Sequence, residues 1–311
     1  METPTTLIEA VHKFSDPQFA HDFLVSIRWP DGVTCPRCES ERVGFISTRR
    51  LFKCRDCKKQ FSVKVGTIFE DSPLGLDKWL TAYWLVVNAK NGISSCELAR
   101  SLGVKQDTAW HMAHRIRFAI QAGTFEVMSG QVEADETVLG GQPKFMHEDK
   151  REEYKRRGYP KTCVFGLRER GGNVQTMVVP DNSSQTLETL VRLQVEPGSD
   201  LYTDLWAAYN GLAGDYNRVK VNHYIGQYVN GEASTNGLEG YWNLLKRGYK
   251  GTYTHFTGWH AHRYLAEEDY RYNTRKQKDG ERFADALTSI VGKRLTYQEL
   301  TESHLVHLDR G

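Results

Sequence analysis

Three acids, Glu133, Asp135 and Glu136, stand within the stretch VEADETVLGG, which alternates like a β-strand. Burying an unpaired carboxylate in a strand is expensive, so the segment implies a compensating partner, and a divalent cation suits hard oxygen ligands. Alternation puts Glu133, Asp135 and Thr137 on one face and Val132, Ala134 and Val138 on the other. Asp135 is the preferred ligand, because Glu136 points to the opposite face and Glu133 lies lower on the strand. A second acid, Asp204, ends the run SDLYTD, at the carboxyl end of an expected strand, where open α/β sheets place their active sites. A third, Glu239, lies in STNGLEGYWNLLKRGYK. At about 100° per residue, Asn236, Glu239, Asn243, Lys246 and Lys250 share one side of a helix, and Leu238, Tyr241, Trp242, Leu245 and Tyr249 cover the other. Two strand-borne aspartates and a helix-borne glutamate can converge on two magnesium or manganese ions. Such a pair polarises a water or a 3′-hydroxyl for in-line attack on a phosphodiester, and Lys246, two turns beyond Glu239, is placed to hold a phosphate.

A different chemistry precedes it. Cys35 and Cys38, then fifteen residues, then Cys54 and Cys57 give two C-x2-C pairs, the spacing of a tetrahedral S4 site that suits zinc. The short strands expected between and after the knuckles give a zinc ribbon, too small to fold without its ion, so the zinc is structural. Cys96 and Cys163 sit in apolar contexts and are expected to be buried thiols.

These groups need scaffolds. LGLDKWLTAYWLVVNAKNGIS carries apolar residues at 76, 79, 80, 83, 84 and 87, a core-helix stripe. Next, Ser94 or Ser95 can cap a short helix through Leu102, Gly103 supplies a turn, and a second helix begins near Gln106 with Ala109, Met112, Ile116 and Ile120 inward. That is the spacing of a DNA-binding helix-turn-helix. Lys105, Gln106, Thr108, His111 and Arg115 become candidates to touch DNA. Further on, KTCVFGLRERGGNVQTMVVPD reads as a hairpin turning at Gly171 and Gly172, and SQTLETLVRLQVE as a helix. Arg247, Lys250, His255 and Arg263 are candidate phosphate contacts, and His223 is a candidate neighbour of the acids.

The chain has 311 residues, 39% of them hydrophobic and 26% charged, and no apolar run long enough for a membrane span. Its beginning lacks the features of a secretory signal, so a cytoplasmic, nucleoid-associated protein with reduced cysteines is expected. The net charge is only +2, but residues 36 to 64 hold nine Lys and Arg against three acids, and residues 242 to 278 eight against three. Segregated charge of this kind is expected where two regions meet phosphates.

In the order ADETVLGG, YTDLWAAY, TNGLEGYWNLLKRGYKGTYTH and HRYLAEEDYRYNTR, over roughly residues 15 to 275, the chain resembles the insertion-sequence DDE transposases that carry an N-terminal zinc ribbon, relatives of the Merlin transposons. The resemblance implies an RNase H-like catalytic fold, with Asp135, Asp204 and Glu239 as the triad and Lys246 as the accompanying lysine. It leaves Asn236 or Asn243 as alternatives in the third position, although Glu239, thirty-five positions after Asp204, matches the common interval. The expected architecture is multidomain: a zinc ribbon with N-terminal helix (1–70), an all-α helix-turn-helix domain (71–125), an α/β RNase H-like domain with a mixed central sheet (126–284), and a helical tail (285–311). The implied partners are double-stranded DNA, as element ends and target, and a second copy of the chain in a dimer or larger synaptic assembly. A DNA-binding regulator with an inactive RNase H-like domain would account for the first 120 residues but not for the three acids, and a nuclease without strand transfer would use the same metals.

Overall fold

The computed structural model describes residues 2–121, 127–140, 147–149, 151–152, 161–220, 236–254 and 256–302. The chain divides into two compact units, Met1–Gln121 with Thr274–Gly311, and Ala122–Asn273.

The first unit opens with two helices, α1 (Leu7–Phe14), capped by Thr6, and α2 (Pro17–Arg28), capped by Asp16 with proline in its first turn. Strands β1 (Val43–Ile46), β2 (Leu51–Cys54) and β3 (Gln60–Phe61) then form an antiparallel sheet in that order. Alternation gives it an inner face, where Phe52, Cys54 and Phe61 are buried, and an outer face bearing Gly44, Lys53 and Gln60. Helix α3 (Leu76–Asn88) buries Trp79, Leu80, Tyr83, Trp84 and Val87 along the expected stripe. The next pair forms where local signals place it. The Ser94 hydroxyl accepts from the Glu97 N–H at 3.1 Å to cap α4 (Ser95–Leu102), Gly103 takes φ +61°, and α5 (Gln106–Ile120) buries Ala109, Met112, Ile116 and Ile120. Cys96 departs from expectation: it is exposed, because the inward positions of α4 are Leu98, Ala99 and Leu102.

The division of the chain also differs from the four-part expectation. Residues 1–121 make one unit, and the segment after 273 joins it. The physical reason is Phe283, fully buried against Phe14, Phe23 and Trp84 at ring separations of 5.7, 6.1 and 5.1 Å, while the Tyr83 hydroxyl donates to the Ala286 carbonyl at 2.8 Å.

The second unit is built on a five-stranded mixed sheet in the order β6-β5-β4-β7-β8: β4 (Gln131–Leu139), β5 (Thr162–Glu169), β6 (Val174–Val179), β7 (Asp200–Thr203) and β8 (Asn217–Lys220). The first three form an antiparallel meander, the hairpin turning at the expected glycines, and β7 and β8 add in parallel. Each face has its own core. One joins Val132, Ala134, Phe165 and Leu167 to helix α6 (Ser184–Gln194) and the 3-10 turn Ala207–Leu212. The other joins Leu139, Val164 and Val174 to α7 (Asn236–Arg247) and α8 (Gly258–Asn273). Cys163 is half-buried and packs beside the first core. Among the described residues, no helix is long and apolar enough to cross a membrane.

Candidate functional site

Two sites emerge, one of thiols and one of carboxylates. The four cysteine sulfurs of the ribbon lie within 4.8 Å of one another, and among the described residues this is the one set of three or more His, Cys, Asp or Glu drawn together closely enough to hold an ion. The two knuckles repeat one backbone design. The Cys35 N–H donates to the Ser40 carbonyl and the Cys54 N–H to the Lys59 carbonyl, at 2.9 and 3.0 Å. Glu39 and Lys58, each just after the second cysteine of its pair, turn to φ +58° and +63°, a conformation that costs a non-glycine residue of the order of 1 kcal/mol. Backbone N–H groups of Cys57 and Asp56 aim at Cys54 Sγ and bring its thiol down to about 6, favouring the thiolate that zinc requires. The donor set, its closeness and its repeated turns all fit a structural zinc ion.

The carboxylates are arranged by β4. Glu133 is spoken for by the fold: it is 1% exposed, one oxygen accepting from Arg168 at 2.8 Å and the other from the Leu238 N–H, in the first turn of α7, at 2.9 Å. A negative charge there satisfies an orphan helix donor and opposes the helix dipole. Gly237 leaves room for the Arg168 guanidinium, which lies where a Cβ would stand.

Asp135, two residues on and on the same face, is held differently. Trp242 of α7 donates its indole N–H to Asp135 Oδ2 at 2.9 Å. The indole reaches the strand because Gly166, paired with Asp135 on β5, has no side chain; a Cβ there would lie 2.6 Å from the ring. Burial, joined by the like charges of Glu136 and Asp204, pushes the Asp135 carboxyl up to about 7 against the lowering effect of the indole. Asp204 follows β7 directly. The parallel register pairs Gln131 with Asp200 and Glu133 with Tyr202, and just beyond it Asp204 lies close enough for its charge to help raise the carboxyls of both Asp135 and Glu136. Asp204 Oδ1 accepts from the Trp206 N–H at 2.8 Å, an Asx turn that ends the strand. Arg218 of β8 secures this end, donating to Thr203 Oγ1 at 2.9 Å and to the Asp204 carbonyl at 3.2 Å.

Glu136 faces the other side of the sheet, as alternation requires, and accepts from the Tyr209 hydroxyl at 2.5 Å. Burial raises its carboxyl, with Asp204 adding and Tyr209 opposing. Glu239 is half-buried in the first turn of α7, and Lys246 half-buried in its last. The three acids Asp135, Asp204 and Glu239 do not form a set as tight as the thiols. Asn243, Arg247 and Lys250 are exposed, whereas Arg263 is buried, its guanidinium 3.2 Å from His260 Nδ1. The side chain of Asn236, and His223 and His255 entirely, lie outside the described residues.

On the first unit, Lys105 and Gln106 are exposed at the start of α5, Gln106 donating to Ser95 Oγ at 2.7 Å, and Thr108 is half-buried. His111 is half-buried with its ring against Tyr297. Arg115 departs from its expected role: it is 5% exposed, donates to the Glu70 carbonyl at 2.7 Å and lies over Trp79, because it shares the inward side of α5 with Met112.

Sequence reasoning passed over Trp242, Gly166, Arg218 and the Tyr209–Glu136 pair as parts of this site. Trp242 read as a core aromatic, which it also is, at 4% exposed. A glycine inside an apolar strand was the legible sign that something approaches closely there.

Comparison with known proteins places both regions. A family model described as an ISXO2-like transposase domain matches residues 127–273, and one described as a transposase zinc-ribbon domain matches residues 16–60. The chain is 28% identical over 253 residues to an uncharacterized protein in transposable element ISH50 of Halobacterium salinarum, covering 76% of this chain and 84% of that protein. It is 30% identical over 106 residues to an uncharacterized transposase-like protein of Haemophilus influenzae, covering 34% of this chain and 85% of that one.

Proposed function

The chain belongs to the ISXO2-like transposases with an N-terminal zinc-ribbon domain, and from that premise we propose that it binds the terminal inverted repeats of an insertion sequence, cleaves them and joins them to target DNA. The observation that carries the catalytic reading is that Asp204, just past the end of β7, lies close enough to Asp135 on the neighbouring strand β4 for its charge to add to the burial that raises the Asp135 carboxyl. The meander with two added parallel strands, with Asp135 in the middle of β4 and Asp204 just past the carboxyl end of β7, supports an RNase H-like domain.

Asp135 and Asp204 are the ligands of a divalent cation, with Glu239 as the third. Hard oxygens fit magnesium or manganese, and the charge excess that raises Asp135 is what a cation relieves. When bound, the ions supply an activated water or 3′-hydroxyl and stabilise the entering and leaving oxygens. The protein's own share is positional. Trp242 fixes one oxygen of Asp135, leaving the other for a ligand. Arg218 and the Asx turn fix the backbone that carries Asp204. Lys246 lies on the helix of Glu239, at a separation of about two turns, to neutralise a phosphate, and Arg247 and Lys250 continue that path. Lys105, Gln106 and Thr108, at the start of the second helix of a helix-turn-helix, face the duplex, with His111 behind them. Two element ends must be brought together, so the acting species is a dimer or larger assembly.

The test is direct. Purified chain with magnesium and a duplex carrying the element ends is expected to yield cut and joined products, and Asp135→Asn or Asp204→Asn to abolish both while retaining duplex binding. Activity surviving in either variant would overturn the assignment. Binding without cutting by the unaltered chain would favour a regulator built on the same domains.

A further inference from the structure

The outer face of the ribbon sheet is a groove of about 450 Å³ over β1 and β2, bordered by Arg42, Gly44, Lys53, Arg55 and Lys58. Its shape and charge have local causes. Strand alternation sends Phe52 and Cys54 to the inner core and leaves Lys53 outside, opposite Gly44 in the register. Gly44 has no side chain to cover the face, and a Cβ built there meets nothing within 4 Å; a glycine inside a strand often marks the close approach of another chain. At the knuckle end, the left-handed turn at Lys58 brings its ammonium to the Arg55 carbonyl at 2.6 Å. Asp56, between Arg55 and Cys57, is already engaged, by Arg42 at 2.8 Å and by Ser40 Oγ at 2.5 Å. Lys53, Arg55 and Lys58 are exposed and form no ion pair among the described residues.

We propose that this outer face seats one sugar-phosphate strand of duplex DNA, with Lys53, Arg55 and Lys58 on successive phosphates and the bare backbone at Gly44 beneath them. The inference rests on the transposase reading and gives the ribbon a particular share of it, that of positioning the duplex without reading its bases. Duplex is favoured over single strand by what the face lacks. Binding of unpaired bases uses a series of aromatic platforms, whereas a single ring borders this groove, that of Phe45, and it is packed against Phe52 and His21 at 5.1 and 5.5 Å. The charged groups that border the groove are all cations, Arg42, Lys53, Arg55 and Lys58.

The experiment uses the full zinc-loaded chain and three probes: a duplex bearing the element end, a duplex of scrambled sequence, and one strand alone, each titrated by fluorescence anisotropy across a salt series. The variant Lys53→Gln/Arg55→Gln/Lys58→Gln is expected to weaken both duplexes by the same factor. It should also flatten the dependence of log affinity on log salt by about 2 to 3, since each phosphate contact contributes roughly 0.9. Gly44→Val, whose branched side chain suits a strand, keeps the charge and covers the groove; roughly a tenfold loss on both duplexes is expected. Zinc content of one ion per chain establishes that each variant is folded, and Lys53→Arg/Lys58→Arg is expected to retain the slope. An unchanged slope in the triple variant, with the unaltered chain binding both duplexes, would overturn the groove alone. Weakening confined to the single strand would overturn the duplex assignment. Failure of the unaltered chain to bind any duplex would instead remove the transposase reading on which the inference stands.

Discussion

The thiol site and the carboxylate site both gather groups whose charged forms repel one another, and the fold treats them in opposite ways. In the ribbon, the sheet has only Cys35, Phe52, Cys54 and Phe61 fully buried at its centre, and two of those four are themselves ligands. Structure and ion are one object there. In the second unit, two separate apolar cores hold the sheet from both sides, and none of the acids belongs to either. Burial raises Asp135 to about 7, whereas the thiols share their charge unevenly, the backbone drawing Cys54 down to about 6 while Cys38, against the pull of the Ser40 backbone, is pushed up to about 12 by burial and the neighbouring sulfurs. A structural ion belongs where the protein cannot fold without it. A catalytic ion belongs where the protein folds in spite of the site.

The largest expected effect tests the first half of that contrast. Cys54→Ser, or chelation of the zinc, should unfold the ribbon and leave the sheet of the second unit standing. Structural zinc in small modules supplies on the order of 10 kcal/mol of binding free energy that is also folding free energy. Zinc content, and the protease susceptibility of residues 30 to 65 against that of 130 to 220, measure it. Loss of protection in both regions at once would break the comparison.

The second half is tested by pH with zinc in place and magnesium absent. The folded Asp135 carboxyl titrates near 7, raised from an ordinary 3.8 by burial first, so between about pH 4 and 7 the folded state holds a proton that the unfolded chain has released. Stability then falls as pH rises through that window, by up to roughly 1.4 kcal/mol per unit for one such group. Asp135→Asn should make the zinc-loaded, magnesium-free protein more stable at pH 8 by on the order of 1–3 kcal/mol, and magnesium should stabilise the unaltered chain there but not the variant. Asp269, buried beneath Tyr241 and likewise raised to about 7, keeps its share in both proteins, so the slope is reduced rather than removed. Chemical denaturation at pH 5 and pH 8 reads the difference, and equal slopes in the two proteins would count against a stored charge at Asp135.

What could be read beforehand follows the same division between local and distant. The cysteine knuckles, the Ser94 cap and the Gly103 turn are set by residues within a few positions of one another, and they form where their spacing puts them. The stripe of α7 likewise identifies Leu238, Tyr241 and Trp242 as core. The parallel pairing of β4 with β7, which brings Asp204 near Asp135, joins segments far apart in the chain, and no pattern in either segment encodes it. Helix phase alone decides the misread positions: Arg115 reads as a polar position in sequence but lies over Trp79 in space, and Cys96 lies in an apolar-looking stretch but faces out. Trp242 was legible as an apolar body and not as a donor, because its partner is 107 residues away.

Gly166→Ala sharpens the claim that the frame, rather than the ion, positions the acid. A methyl group 2.6 Å from the Trp242 ring must displace the indole or bend β5, and overpacking of this kind costs about 1–3 kcal/mol. The expected result is a folded, zinc-replete protein with lowered unfolding stability and slower DNA cleavage. Cleavage at the unaltered rate would show that the indole contact is dispensable.

Trp242→Phe is the mildest break, because it keeps an aromatic ring beside Gly166 and removes only the N–H. One hydrogen bond to a carboxylate is lost, with a net effect on stability of about 1 kcal/mol, but the direction of the chemical effect is fixed. The indole lowers the Asp135 carboxyl against burial and the charges of Glu136 and Asp204, so without it the group holds its proton to higher pH. At constant magnesium, the acid limb of the cleavage profile should move to higher pH by less than about one unit, with the plateau rate restored once Asp135 ionises. A uniform loss at every pH would make Trp242 a packing residue alone, and a limb that moved to lower pH would mean that Asp135 is not the group whose ionisation the reaction waits for.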